Sequence, residues 1–76
     1  MIRAYVLINV KPGKEREVIE ILKNSKNIED VSVVYGEYDV IAKVKAETLE
    51  ELRKFVVEVI RTKDYVERTV TLIQAP

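Results

Sequence analysis

Over residues 2–10 every second side chain is apolar and the positions between are mixed. Ile2, Ala4, Val6, Ile8 and Val10 fall on one side, and Arg3, Tyr5, Leu7 and Asn9 on the other. A period of two predicts a β-strand with one buried face. Lys11-Pro12-Gly13 interrupts it, as proline and glycine do. From 14 to 26 the period lengthens to that of a helix, with Val18, Ile21, Leu22 and the flanking Ile19 as its stripe. Arg16 and Glu20 stand four apart on the wet side, spaced to pair, and Asn24-Ser25-Lys26-Asn27 ends the helix. The segment Val31 to Val44 predicts a hairpin, with strands near 30–35 and 39–46. Thr48-Leu49-Glu50-Glu51 reads as a capping box. The helix it opens carries Leu49, Leu52, Phe55, Val56, Val59 and Ile60 at helical spacing, with Glu50 and Lys54 paired outside, and Thr62-Lys63-Asp64 closes it. Residues 65–74 alternate again, placing Val66, Val70 and Leu72 on one face and Glu67, Thr69, Thr71 and Ile73 on the other.

The order βαββαβ predicts a single α+β domain over 1–76 of the ferredoxin-like kind. Its four-stranded antiparallel sheet carries both helices on one face, and right-handed crossovers give the strand order 4-1-3-2. With Val6, Ile8, Val33, Val40, Ala42, Val44, Val70 and Leu72 turned to the helices, the open face holds Tyr5, Leu7, Val34, Ile41 and Ile73 among Asn9, Ser32, Asp39, Thr69 and Thr71. Apolar groups gathered so densely mark an interface. Covering ~400 Å² contributes on the order of 10 kcal/mol gross, before association costs. A homodimer packed through the open sheet faces is therefore expected.

Composition narrows the chemistry. The 76 residues include no cysteine and no histidine, which removes disulfides, thiol chemistry, the commonest metal ligand and the usual general base. No cofactor and no metal is expected; Glu15, Glu17 and Glu20 form a solvated helix face without convergent oxygens. Thirteen basic and thirteen acidic residues balance and interleave, so the basic stripe of a nucleic-acid binder is missing. No leader and no apolar run long enough for a bilayer is seen, which makes the cytoplasm the expected location. High charge without cysteine leans toward a thermophile. Asp39 opens an otherwise apolar strand, where a carboxylate is costly unless paired; this points to an amino-bearing ligand.

Tyr5 to Gly13, Val31 to Val44 with its Gly36-Glu37-Tyr38-Asp39 turn, Thr48 to Ile60 and Arg68 to Ile73 together resemble, end to end, the effector domain of Lrp/AsnC-type transcription regulators. The resemblance implies a stand-alone effector (RAM) domain without the helix-turn-helix. It further implies dimers through the sheets, assembled as tetramers of dimers, with amino-acid sites where dimers meet. Carried onto this chain, Gly36 and the backbone around Tyr35 and Glu37 would bind the ligand carboxylate. Tyr38 would line the pocket and Asp39 would take the ammonium, with Glu67, Thr69 and Thr71 as further candidates. Two departures stand out: Tyr35 replaces a frequent threonine, and Lys63-Asp64-Tyr65 replaces a frequent Pro-Gly. Plainer roles stay open: Gly36 for the turn alone, Asp39 for turn amides, and Glu67 as partner of a lysine such as Lys43.

The expected function is a non-enzymatic amino-acid-sensing and oligomerisation module linked to regulation of transcription or of amino-acid metabolism, either by co-assembly with a full-length regulator of the same family or as a free amino-acid sensor or buffer, and without direct nucleic-acid or membrane contact. The alternatives are a purely structural assembly domain, a signalling or metal-tolerance trimer, or a small dimeric monooxygenase or isomerase. Such an enzyme would have to use Asp39, Tyr38, Asn9 or Arg3.

Overall fold

A computed structural model describes residues 1–76. The chain runs β1 (Ile2–Val10), α1 (Glu15–Lys23), β2 (Ile28–Val33), β3 (Val40–Ala46), α2 (Leu49–Phe55) and β4 (Val66–Ile73), with one π-helical turn over Val56–Ile60 continuing α2. The strands form one antiparallel sheet in the order β2-β3-β1-β4, the expected ferredoxin-like topology. No helix is long and apolar enough to cross a membrane.

The apolar parity of β1 becomes burial. Ala4, Val6, Ile8 and Val10 face inward, as do Val40, Ala42, Val44 and Ala46 of β3. Val18 and Leu22 of α1, Leu52 and Phe55 of α2, and Val56 and Ile60 of the π-turn close over them, and every buried residue is apolar. The Thr48 hydroxyl accepts the Glu51 N–H (3.1 Å) and caps α2. The returning Glu51 carboxylate reaches the N–H of Glu47 (3.4 Å), one residue before the cap. In the π-turn the Arg61 N–H donates to the Val56 carbonyl (2.9 Å).

Several expectations are corrected. The first helix is shorter, because Asn24 turns its amide back onto the Glu20 carbonyl (2.9 Å) and the chain leaves the helix there. The helix ion pairs differ. Glu20 meets Lys23 (3.2 Å) instead of Arg16, Lys14 meets Glu17 (3.3 Å), and Glu50 and Lys54 make no pair. Lys43 cannot meet Glu67, since β1 lies between β3 and β4; its ammonium sits over the Tyr5 ring, 6.0 Å from the centroid.

The largest correction concerns β4. Thr71 pairs with Val6 and Thr69 with Ile8, whereas Val70 pairs with Leu7 and Leu72 with Tyr5. Paired residues share a face, so Thr69, Thr71 and Ile73 lie on the helix side and Arg68, Val70 and Leu72 on the open side. The cause is a β-bulge: β1 advances one residue from Asn9 to Val10 while β4 steps from Arg68 to Val66. One extra residue reverses the phase of everything beyond it. The open face remains apolar, built from Tyr5, Leu7, Ile41, Val70 and Leu72.

Candidate functional site

The connection from β2 to β3, Val34 to Asp39, is held at both ends. The Val34 N–H donates to the Asp39 carbonyl (2.9 Å), and the Asp39 N–H to the Ile8 carbonyl (3.0 Å). Gly36 has φ 141°, a left-handed backbone that only glycine adopts without strain. No backbone or side-chain acceptor takes the N–H groups of Tyr35, Gly36, Glu37 or Tyr38, which leaves successive donors on an exposed tip.

Asp39 is engaged on one side only. Its Oδ2 accepts the Val10 N–H (2.9 Å) and the Asn9 amide (3.4 Å). Its Oδ1 accepts nothing and is not sealed from solvent. The same Asn9 amide also donates to the Glu37 carbonyl (2.8 Å), and Asn9 Oδ1 accepts from Arg68 Nε (3.3 Å). The Arg68 guanidinium lies over the Tyr38 ring, 5.0 Å from its centroid, a distance at which cation–π attraction acts. Asn9 and Arg68 thus latch the turn to the end of β1 and to the bulge of β4. The sequence reading did not assign Arg68. The signal for it is the bulge, because without that extra residue position 68 would face the helices.

The expected site residues fall in three places. Tyr35, Gly36, Glu37, Tyr38 and Asp39 belong to the turn, with Tyr38 and Asp39 half-buried. Glu67 is exposed in the bulge. Thr69 and Thr71 lie on the opposite side of the sheet, in a groove of about 710 Å³ between β4 and α2. Leu49, Val56, Val57 and Ile73 supply its apolar walls, with Arg53 and Arg61 among its cationic lining. No group of His, Cys, Asp or Glu side chains converges as a metal site would. The groups on offer are free amides, one free carboxylate oxygen, hydroxyls and an apolar trough.

These features define a small ligand-binding α+β domain of the ferredoxin-like type. A family model described as the Lrp/AsnC ligand binding domain matches residues 3–74, and the chain belongs to this family. The transcriptional regulator FL11 of Pyrococcus abyssi, of the helix-turn-helix type, is 39% identical over 70 residues, covering 92% of this chain and 46% of that protein. The chain spans about half the length of the curated relatives it matches. Among solved structures, FFRP-DM1 is 41% identical with a TM-score of 0.95, covering 99% of this chain and 100% of that one. A hypothetical protein of Pyrococcus horikoshii is likewise 41% identical, with a TM-score of 0.93 over 100% of this chain and 92% of that one.

Proposed function

We propose that this chain is a non-enzymatic effector-sensing and assembly module for α-amino acids. The observation that carries the reading is the pairing of opposite hydrogen-bonding needs at the turn: unused N–H groups from Tyr35 to Tyr38 beside the unbonded Oδ1 of Asp39. Consecutive free amides suit a carboxylate, and a free carboxylate oxygen suits an ammonium. An α-amino acid carries both, one carbon apart. Gly36 lets such a ligand approach the backbone closely, and Tyr38, steadied by Arg68, forms a wall. A regulator of the same fold from Neisseria meningitidis, 13% identical with a TM-score of 0.87, was solved as a complex with L-Met.

Thr69 and Thr71 cannot serve the same ligand from within one protomer, because the sheet lies between them and the turn. In our reading they act from a neighbouring copy. Copies pair through the open sheet faces, pairs assemble into rings such as a tetramer of dimers, and the ligand sits where pairs meet. Its influence on assembly is then bounded by its difference in affinity for the assembled and separate states. With its balanced, interleaved charge, the domain acts on transcription through co-assembly with a full-length regulator of its family and makes no DNA contact itself. Native mass spectrometry of a mixture with such a regulator is expected to show mixed oligomers; their absence removes that link.

The ligand role is tested by thermal shift with the twenty amino acids on the wild-type protein, Asp39→Ala and Asp39→Asn. At least one amino acid is expected to stabilise the wild type, by about 2.7 kcal/mol at a hundredfold excess over Kd. Asp39→Asn keeps an acceptor for Val10 but loses the charge, and the shift is expected to vanish in both variants. A flat wild-type screen would leave assembly as the only role.

A further inference from the structure

Beside the turn, three neighbouring segments of the sheet bring an acid, an amide and a guanidinium into one row, and the guanidinium ends in unused donors. We infer that Arg68 reads the side chain of the ligand and selects α-amino acids that carry a second carboxylate, glutamate and aspartate. This selectivity rests on the reading that the turn binds an α-amino acid, and it adds the class of ligand and the residue that sets it.

Asn9 is the middle of the row. It pairs with Arg68 across β1 and β4, and paired residues share a face. Its amide donates to Asp39 Oδ2 (3.4 Å), and its Oδ1 accepts from Arg68 Nε (3.3 Å). A single carboxamide thus joins an acid to a cation. A ligand with an ammonium and a carboxylate a few bonds apart can run alongside it. At the acid end, Asp39 Oδ1 accepts nothing. At the other end, an arginine has five N–H donors, and Arg68 uses only Nε; its two Nη groups donate to nothing within the chain. The face of Tyr38, 5.0 Å from the guanidinium carbon, holds this fork in place, and Arg68 is exposed to an incoming ligand. A group held in its binding geometry beforehand loses little freedom when it binds.

Charge decides what the fork meets. Arg68 makes no ion pair, although Glu37 and Asp39 belong to the turn it latches and Glu67 precedes it. Its protein partners are a neutral amide and an aromatic face. The main-chain groups of an α-amino acid are already matched, the carboxylate by the turn amides and the ammonium by Asp39. The ligand's side chain is the part left for Arg68. Two Nη groups in one plane fit a carboxylate with two parallel charge-assisted hydrogen bonds. A carboxamide offers one oxygen and no charge, so glutamine and asparagine rank lower. An apolar side chain would desolvate the guanidinium without pairing it, and a lysine or arginine ligand would set like charge against it.

Isothermal titration calorimetry with glutamate, glutamine, leucine and lysine tests this on the wild-type protein, Arg68→Met and Arg68→Lys. The wild type is expected to bind glutamate on the order of tenfold or more tighter than leucine, with glutamine between them and lysine weakest. Arg68→Met should bring glutamate down to the level of leucine and change leucine by no more than about twofold. Arg68→Lys keeps the charge and loses the fork, and should retain part of the preference. Position 68 is exposed, and thermal melts without ligand confirm that both variants are folded. The readout is a ratio between ligands, so a general loosening of the turn, which weakens all of them together, does not imitate the expected result. A wild type that prefers leucine or lysine overturns the inference. So does a glutamate preference that survives Arg68→Met, or an equal loss for every ligand in that variant, which would give Arg68 a role in the turn or at the α-carboxylate alone. Each of these outcomes shows amino-acid binding and leaves the effector reading standing. Absence of binding by all four ligands removes the selectivity, and the screen of twenty amino acids then decides the effector reading separately.

Discussion

Strand β1 has two neighbours, and the two ladders differ. Against β3 the register runs unbroken from Ile2↔Ala46 to Ile8↔Val40, and the inward residues on both strands are apolar and, apart from the partly buried Ile2, buried. Against β4 the register breaks at Asn9/Val10, and beyond the partly buried Val66 the inward residues are Thr69, Thr71 and the exposed Ile73. The β3 side is the domain's core. The β4 side is an edge whose helix face is only partly roofed by α2, and that incomplete cover is the groove. A small domain cannot bury everything, and here the shortfall falls on the strand that carries the polar candidates. The core therefore rests on the β3 flank of β1, and the groove opens on its β4 flank.

The sharpest way to break this comparison is to truncate both members of a single rung. Ile8 is fully buried and pairs with Thr69. Ile8→Ala is expected to cost about 2–5 kcal/mol, a large part of the 5–15 kcal/mol available to a typical domain. Thr69→Ala should cost about 1 kcal/mol or less. Urea denaturation measures both; equal losses would mean that β4 belongs to the core after all.

A second experiment asks which face of β4 meets a partner. Leu72→Lys puts a charge on the open sheet face beside Tyr5, and Ile41→Lys does the same from β3, where Ile41 pairs with Leu7. Each is expected to weaken sheet-to-sheet dimerisation on the order of a hundredfold, since an unpaired charge must be desolvated there. Ile73→Lys points into the groove and should leave that dimer intact while weakening assembly beyond it. If Ile73→Lys and not Leu72→Lys yields monomers in sedimentation, the bulge is misplaced.

These two residues also show what a sequence can disclose. The element order, the strand order and the inward faces of β1 and β3 were legible because one parity of each strand is consistently apolar. In β4 both parities hold apolar groups, Val70 and Leu72 against Ile73, so alternation has no preferred face to indicate. A bulge leaves no mark on local pattern, because it is specified by what β1 presents opposite it. The turn was legible through Gly36 and Asp39. Arg68 was not, since its role depends on Asn9 and Tyr38, 59 residues away in one case and reached only through the folded sheet. The division of the threonines from the turn was hidden for the same reason.

A smaller effect separates turn geometry from turn chemistry. Gly36→Ala meets no atom within 4 Å of the added methyl, so its expected cost, about 1 kcal/mol, comes from the left-handed backbone alone. Asp39→Ala strips the acceptor from the half-buried Val10 N–H and is expected to cost about 1–3 kcal/mol. Thermal denaturation of both, without ligand, ranks them. A larger loss for Gly36→Ala would make backbone conformation, and not the Asp39 latch, the main constraint on the turn.

The smallest effect concerns the other edge. β2 also carries an irregularity, between Ile28 and Asp30, and there too an arginine reaches across: Arg3 Nε donates to Glu29 Oε1 at 3.1 Å. That hydrogen bond, with the charges of Arg3, Lys43 and Lys45, holds the Glu29 carboxyl below its ordinary value of 4.5. A carboxylate whose folded pKa is depressed contributes its stability above the unfolded pKa and loses it as pH falls through the lower folded value. The Arg3–Glu29 contact should therefore persist at neutral pH and fade only below pH 4.5. The Arg68 Nε–Asn9 Oδ1 hydrogen bond itself joins a guanidinium to a neutral amide. Carboxyl titration by NMR, with Arg3→Gln as control, is expected to show Glu29 returning toward its ordinary value in the variant. A Glu29 titration indifferent to that substitution would mean that the two edges are not held by the same device, and that only the β4 bulge is latched by an arginine.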